Sequence, residues 1–173
     1  MSKDFNYEEL ALRTLPQDHN YHYDKLTSAQ LFSTIHNAIV ALQELDAVKK
    51  TFAYGKDLEL DFDYGDEEIP VFKDRVDPDL VHAIIGIATE AGELLEALAL
   101  SLFDDGEFDV VNLKEEVGDV MWYIAIAAVR GKFTLKDSQV INILKLEKRY
   151  GEKFSAERAL LRDLAAERGI LES

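Results

Sequence analysis

The sequence predicts an all-α fold, a helical hairpin completing a four-helix-bundle-like core, with an irregular N-terminal arm. Three observations predict it. Apolar residues recur at helical spacing over long stretches, as with Leu31, Ile35, Ala38, Ile39, Leu42, Leu45 and Val48. Capping residues stand where such stretches begin: Thr27, Asp77 followed by Pro78, Thr134 and Ser155. Glycines stand where they stop, at Gly55, Gly131, Gly151 and Gly169.

Taken in order, residues 1–26 carry aromatics and a Pro-Gln-Asp-His-Asn stretch with little periodicity, which reads as the irregular arm. A first helix runs from Thr27 to near Gly55. Leu58 to Tyr64 then alternates apolar and acidic residues as an edge strand does. The spacing of an EF-hand is absent there, so a solvated loop or short hairpin fits better than an ion site. Asp77-Pro78 opens a strongly apolar helix that reaches about Leu102. Phe103–Asp109, with one glycine and four acids, interrupts it. A second apolar helix covers Val110 to Arg130, with Gly131 placed to end it and Asn112/Glu115 available as a variant capping box. Thr134 starts the next helix, which stops near Gly151, and Ser155 caps a last one ending at Gly169. The reading is one domain over 1–173, with the arm at 1–26, a core at 78–154 and a C-terminal helix at 155–173.

Composition narrows the function. With 34 acidic against 19 basic residues, the net charge is −15, which disfavours broad contact with a nucleic acid polymer. No apolar run reaches the ~18 residues of a membrane span, so no membrane partner is expected. The polar, acidic start MSKDFNYEEL is unlike a signal or transit peptide. There is no cysteine, hence no disulfide, thiolate nucleophile or Cys-based zinc site. Cytoplasmic residence is the expectation.

Chemistry concentrates on the hairpin. One helix contains Glu90-Ala-Gly-Glu93 and the next Glu116-Val-Gly-Asp119. Within each pair the carboxylates stand at i and i+3, on one face. Their neighbours are apolar: Ala88, Ala91, Leu94 and Leu95, then Val117, Val120, Met121 and Trp122. Four carboxylates on otherwise core-like helices repel one another and resist desolvation unless a cation sits among them. Oxygen ligands of this kind suit Mg²⁺, with Mn²⁺ as a substitute. Glu93 lies ~14 Å from its helix end and Glu116 ~9 Å from its helix start, so the pairs can face each other. Gly92 and Gly118 precede the second acid of each pair, leaving room for a close helix contact or a ligand, or standing there by chance.

These residues resemble the signature of the MazG-like all-α nucleoside triphosphate pyrophosphohydrolases: E-x-x-E, a spacer of 22 residues, then E-x-x-D. The match extends through Glu-Ala-Gly-Glu-Leu and Glu-Glu-Val-Gly-Asp-Val-Met-Trp-Tyr. Downstream, Asn142-Ile-Leu-Lys145-Leu-Glu-Lys-Arg149-Tyr150 and Phe154 are similar to the tail helix of phage-encoded members, which would put the protein in a host cytoplasm. The resemblance covers roughly residues 78–173 and says little about 1–76. It implies hydrolysis of a (deoxy)nucleoside triphosphate to the monophosphate and pyrophosphate, a metal set of Glu90, Glu93, Glu116 and Asp119, and a homodimer or homotetramer. Glu93 is favoured as the carboxylate that aims the water.

Asn142, Lys145 and Arg149 form one helical stripe, a cationic face suited to phosphate oxygens in an acidic protein, or an ordinary surface pairing with Glu147 or Glu152. Tyr150 joins that substrate set or the core. Lys114 reaches phosphate or bridges local acids. Trp122, one turn after Asp119, borders a base pocket or packs inside. His82, two turns before Glu90, lines the same cavity or faces solvent; His36 and Asn37 are positional candidates for base contact. Ferritin-like di-iron chemistry needs Glu-x-x-His, which the histidines at 19, 22, 36 and 82 do not supply. An HD phosphohydrolase needs a His-Asp pair, also absent. The remaining alternative is a non-enzymatic acidic helical interaction protein, its acids a solvated face indifferent to Mg²⁺.

Overall fold

The computed structural model describes residues 6–15, 22–60, 75–151 and 153–172. Among them are seven α-helices: α1 (Tyr7–Leu12), α2 (Ser28–Tyr54), α3 (Pro78–Phe103), α4 (Val110–Gly131), α5 (Leu135–Tyr150), α6 (Ala156–Leu160) and α7 (Leu164–Leu171). No strand occurs among the described residues, and no helix there is long and apolar enough to cross a membrane. The fold is all-α, as the periodicity predicts. The chain divides into two compact units: Leu26–Lys132, and Met1–Lys25 together with Phe133–Ser173.

In the Leu26–Lys132 unit, α3 packs against both α2 and α4. Side chains adjoining each helix start hold the free amides there. Gln30 N donates to Thr27 Oγ1 at 3.1 Å while Thr27 N donates to Gln30 Oε1 at 2.9 Å, a reciprocal capping box. Gly55 ends α2 at φ 70°, in the left-handed region where glycine carries no steric cost. Asp77 accepts from Asp79 N at 2.9 Å, with Pro78 in the first turn of α3. The cap of α4 is Asp109, which accepts from Val111 N and Asn112 N at 2.8 and 3.1 Å. Asn112 therefore lies inside the helix rather than at the expected capping box. Gly131 is the last residue of α4, and Lys132 takes the left-handed cap position at φ 59°.

Two glycines set the helix spacing. A Cβ on Gly86 would lie 2.3 Å from the Tyr123 ring, so that ring rests on the backbone of α3. A Cβ on Gly92 would lie 2.9 Å from Leu42 Cβ, so α2 meets α3 closely there. Gly118 has open space beside it. Among the described residues of this unit, the buried apolar ones are Ala83, Tyr123 and Ala128.

In the other unit, α5 packs against α1, α6 and α7. The arm expected to be irregular contains α1, capped by Asn6 accepting from Glu9 N at 3.3 Å, and a 3₁₀ turn at Tyr23–Lys25. Six residues are too few for a readable period. The expected last helix from Ser155 to Gly169 is two helices. Its break comes where Asp163 accepts from Ala166 N at 3.0 Å and starts α7, which continues past Gly169. Of the alternating segment at 58–64, Leu58 to Leu60 are irregular and the rest lies outside the described residues.

Candidate active site

Glu90 comes from α3 and Glu116 and Asp119 from α4, and one oxygen of each lies within 4.8 Å of the others. Glu90 is 8% exposed and Glu116 6%, so these two are buried, whereas Asp119 is exposed. Burial first, and then the charges of Glu93, Glu90 and Asp119, push the Glu116 carboxyl up to about 6. The donor set is entirely carboxylate oxygen, and one octahedral Mg²⁺ spans roughly 4 Å between opposite ligands, so the residues fit a hard divalent cation.

Glu93 stands outside this group of three. It is more exposed and lines two cavities. One, of about 300 Å³, also has Glu96, Glu107, Asp109, Asn112 and Glu116 in its wall. The other, of about 160 Å³ between α2 and α3, is bordered by Leu42, Gln43, Asp46, Thr89 and Gly92. Burial, followed by the charge of Glu90, raises the Glu93 carboxyl above the ordinary range.

The acids have a partner that the sequence reading passed over. Lys49 of α2 is 4% exposed, and its Nζ lies 2.9 Å from Glu90 Oε1, 3.0 Å from Asp46 Oδ1 and 2.8 Å from Thr89 Oγ1. The Thr89 hydroxyl in turn donates to the Gly86 carbonyl at 3.0 Å. Burial alone lowers a lysine pKa. Here the hydrogen bonds to Glu90 and Asp46 outweigh it and hold the ammonium above the usual range. Burial likewise opposes the charge of Asp46, yet hydrogen bonds from Lys50 and Lys49 keep its carboxyl below the usual range. The signal was present: Lys49 stands four residues after Leu45 and seven after Leu42, on the apolar stripe of its helix.

His82 sits in an aromatic cluster with ring centroids 5.7 Å from Tyr54, 5.4 Å from Tyr123 and 6.5 Å from Trp122. Its Nε2 is buried without a hydrogen-bond partner among the described residues. Trp122 is 54% exposed, its ring 4.8 Å from Tyr123, so it is not a core residue of this chain alone. His36 is exposed and stacks on Phe32. Asn37 and Lys114 are exposed on α2 and α4.

The α5 stripe belongs to the other unit. Asn142 Oδ1 accepts from the Tyr7 hydroxyl at 3.3 Å. Lys145 is half-buried and forms no ion pair among the described residues. Arg149 is held by Glu167 of α7 through Nε at 2.7 Å and Nη2 at 2.5 Å, and Arg162 adds a third contact at 2.7 Å. The Arg149 and then Arg162 hydrogen bonds bring the Glu167 carboxyl down to about 2. Tyr150 lies against Phe154 at 5.3 Å, with the Arg149 guanidinium 5.5 Å from its ring. Glu147 pairs with Arg13 at 3.6 Å rather than with the stripe.

No curated protein and no solved structure matches the chain. Its buried acids nevertheless fall in a segment that does have a counterpart. Residues 82–154, from within α3 to just past α5, match the family model of the MazG nucleotide pyrophosphohydrolase domain, whose members are hydrolases acting on phosphoric anhydrides.

Proposed function

We propose that the protein hydrolyses (deoxy)nucleoside triphosphates to the monophosphate and pyrophosphate in a Mg²⁺-dependent reaction, with Mn²⁺ able to substitute. The observation that carries this reading is the group of Glu90, Glu116 and Asp119, two of them buried, inside a MazG-matching segment. A bound divalent cation supplies charge neutralisation and a more acidic water. Glu90, Glu116 and Asp119 hold it. Glu93, beside the larger cavity, takes the proton as water oxygen adds to the α-phosphorus. The bond from the α-phosphorus to the α,β-bridging oxygen breaks, and pyrophosphate leaves. Glu93 also joins the metal set if its carboxylate turns toward the other three.

Asn142, Lys145 and Arg149 are the proposed contacts to phosphate, with Tyr150 beside them; Trp122 and His82 are the proposed contacts to the base. The protein works as a homodimer or homotetramer, a reading supported by the exposed apolar side chains of α3 and α4: Ile84 at 56%, Met121 at 56% and Trp122 at 54%. Chromatography of the full (d)NTP set with Mg²⁺ or Mn²⁺ tests the reaction. Monophosphate with pyrophosphate is expected, and abolished by Glu93→Gln without loss of helical signal. Accumulation of diphosphate would overturn the cleavage site. Light scattering tests the assembly, where a mass near 19.6 kDa at full activity would overturn it.

A further inference from the structure

The ammonium of Lys49 has three N–H donors and three acceptors around it, on Glu90, Asp46 and Thr89, so its hydrogen bonding is complete. The Tyr123 ring, 5.3 Å from Nζ, closes a further side. A buried lysine so fully engaged is not an incidental surface charge. Oε1 of Glu90, one of the three acids that stand within 4.8 Å of one another, is committed to it. Lys49 comes from α2, outside the 82–154 segment that matches the hydrolase family, so it is a feature of this chain's own surroundings to the acids.

We propose that Lys49 is a built-in counter-ion of the acid cluster: it holds Glu90 in place when no divalent cation is bound, and its charge weakens the affinity for that cation. The proposal rests on the acids binding a divalent cation. The physical argument is linkage. A fixed positive charge beside Glu90 stabilises the cation-free state, where it offsets repulsion among three carboxylates. It repels an incoming dication in the bound state. Removing the charge therefore destabilises the free protein and tightens cation binding at once. Removing a lysine that merely braces α2 against α3 would destabilise both states alike and leave affinity unchanged.

The test uses the full chain and Mn²⁺ alone, with no nucleotide. Mn²⁺ binding is measured by calorimetry or by loss of its free electron paramagnetic signal, and melting is recorded with and without the ion. Lys49→Gln keeps hydrogen-bonding atoms but removes the charge. It is expected to bind Mn²⁺ about tenfold or more tightly than the parent, to melt lower without the ion, and to gain more from it. Lys49→Arg, which keeps the charge, is expected to stay near the parental affinity. Glu116→Gln serves as the ligand control. If the parent binds and Glu116→Gln does not, the metal reading stands; equal or weaker affinity in Lys49→Gln then overturns the counter-ion alone. If the parent binds no Mn²⁺, both readings fall. Should Lys49→Gln fold only with Mn²⁺ present, that dependence supports the proposal; failure to fold in either condition shifts the decision to Lys49→Arg, whose tighter binding would overturn it.

Discussion

Replacing Glu116 with glutamine removes one charge from the most crowded point of the acid cluster while nearly preserving shape. In the folded, metal-free protein this carboxyl is raised to about 6 from 4.5, chiefly by burial and then by Glu93, Glu90 and Asp119. A raised acid means that the folded state resists the charge. Stability is therefore lost as pH rises from about 4.5 through about 6, and the whole loss is present at pH 8. The shift of about 1.5 units, discounted for solvent screening, corresponds to ~1–2 kcal/mol, which glutamine does not incur. For a chain of this size that is about 2–8 °C in melting temperature. Thermal melts in chelator at pH 8 should place Glu116→Gln above the parent by that amount, and the difference should vanish near pH 4.5. With millimolar Mg²⁺ at pH 8 the order should reverse, because only the parent retains its ligand set. A variant that melts no higher than the parent in chelator, or that keeps the parent's full response to Mg²⁺, would refute the reasoning.

Other consequences can be checked separately. Lys145→Ala should weaken substrate binding or slow turnover by about ten- to a thousandfold, roughly 1.4–4 kcal/mol, in steady-state kinetics, while Mn²⁺ affinity without nucleotide stays unchanged; no kinetic effect would return the α5 stripe to the role of a surface face. Glu167, lowered to about 2 by Arg149 and Arg162, contributes stability that is present above about 4.5 and lost as pH falls toward 2. Acid titration of the helical signal should show that loss, and Glu167→Gln should remove this limb and lower the melting temperature at neutral pH. Lys132, held at φ 59°, carries a left-handed cost that glycine does not. Lys132→Gly should raise stability by ~0.5–1 kcal/mol in denaturant unfolding.

What could be read in advance was local. Thr27, Asp77, Thr134 and Ser155 cap their helices because a side-chain oxygen needs to reach amides only two or three residues away. The i, i+3 acids were legible for the same reason, since spacing within one helix decides their shared face. Long-range partners were not. Lys49 and Glu90 are 41 residues apart, and nothing local tells a lysine which carboxylate it will meet. The need for glycine at 86 depends on a ring 37 residues later. The α6–α7 break escaped because Asp163 looks like any mid-helix polar residue until its side chain is seen accepting from Ala166 N.

Trp122 is the chain's single tryptophan, and it lies in the Leu26–Lys132 unit, half-exposed, with Tyr123 4.8 Å away and Asp119 one turn before it. Its emission is therefore a built-in optical gauge of that unit alone, whereas far-ultraviolet dichroism sums helices from both units. Unfolding followed by the two signals in parallel reports whether the units melt together or in sequence: superimposed curves mean one cooperative transition, and separated curves assign the earlier or later step to the acid-bearing half without any label or truncation.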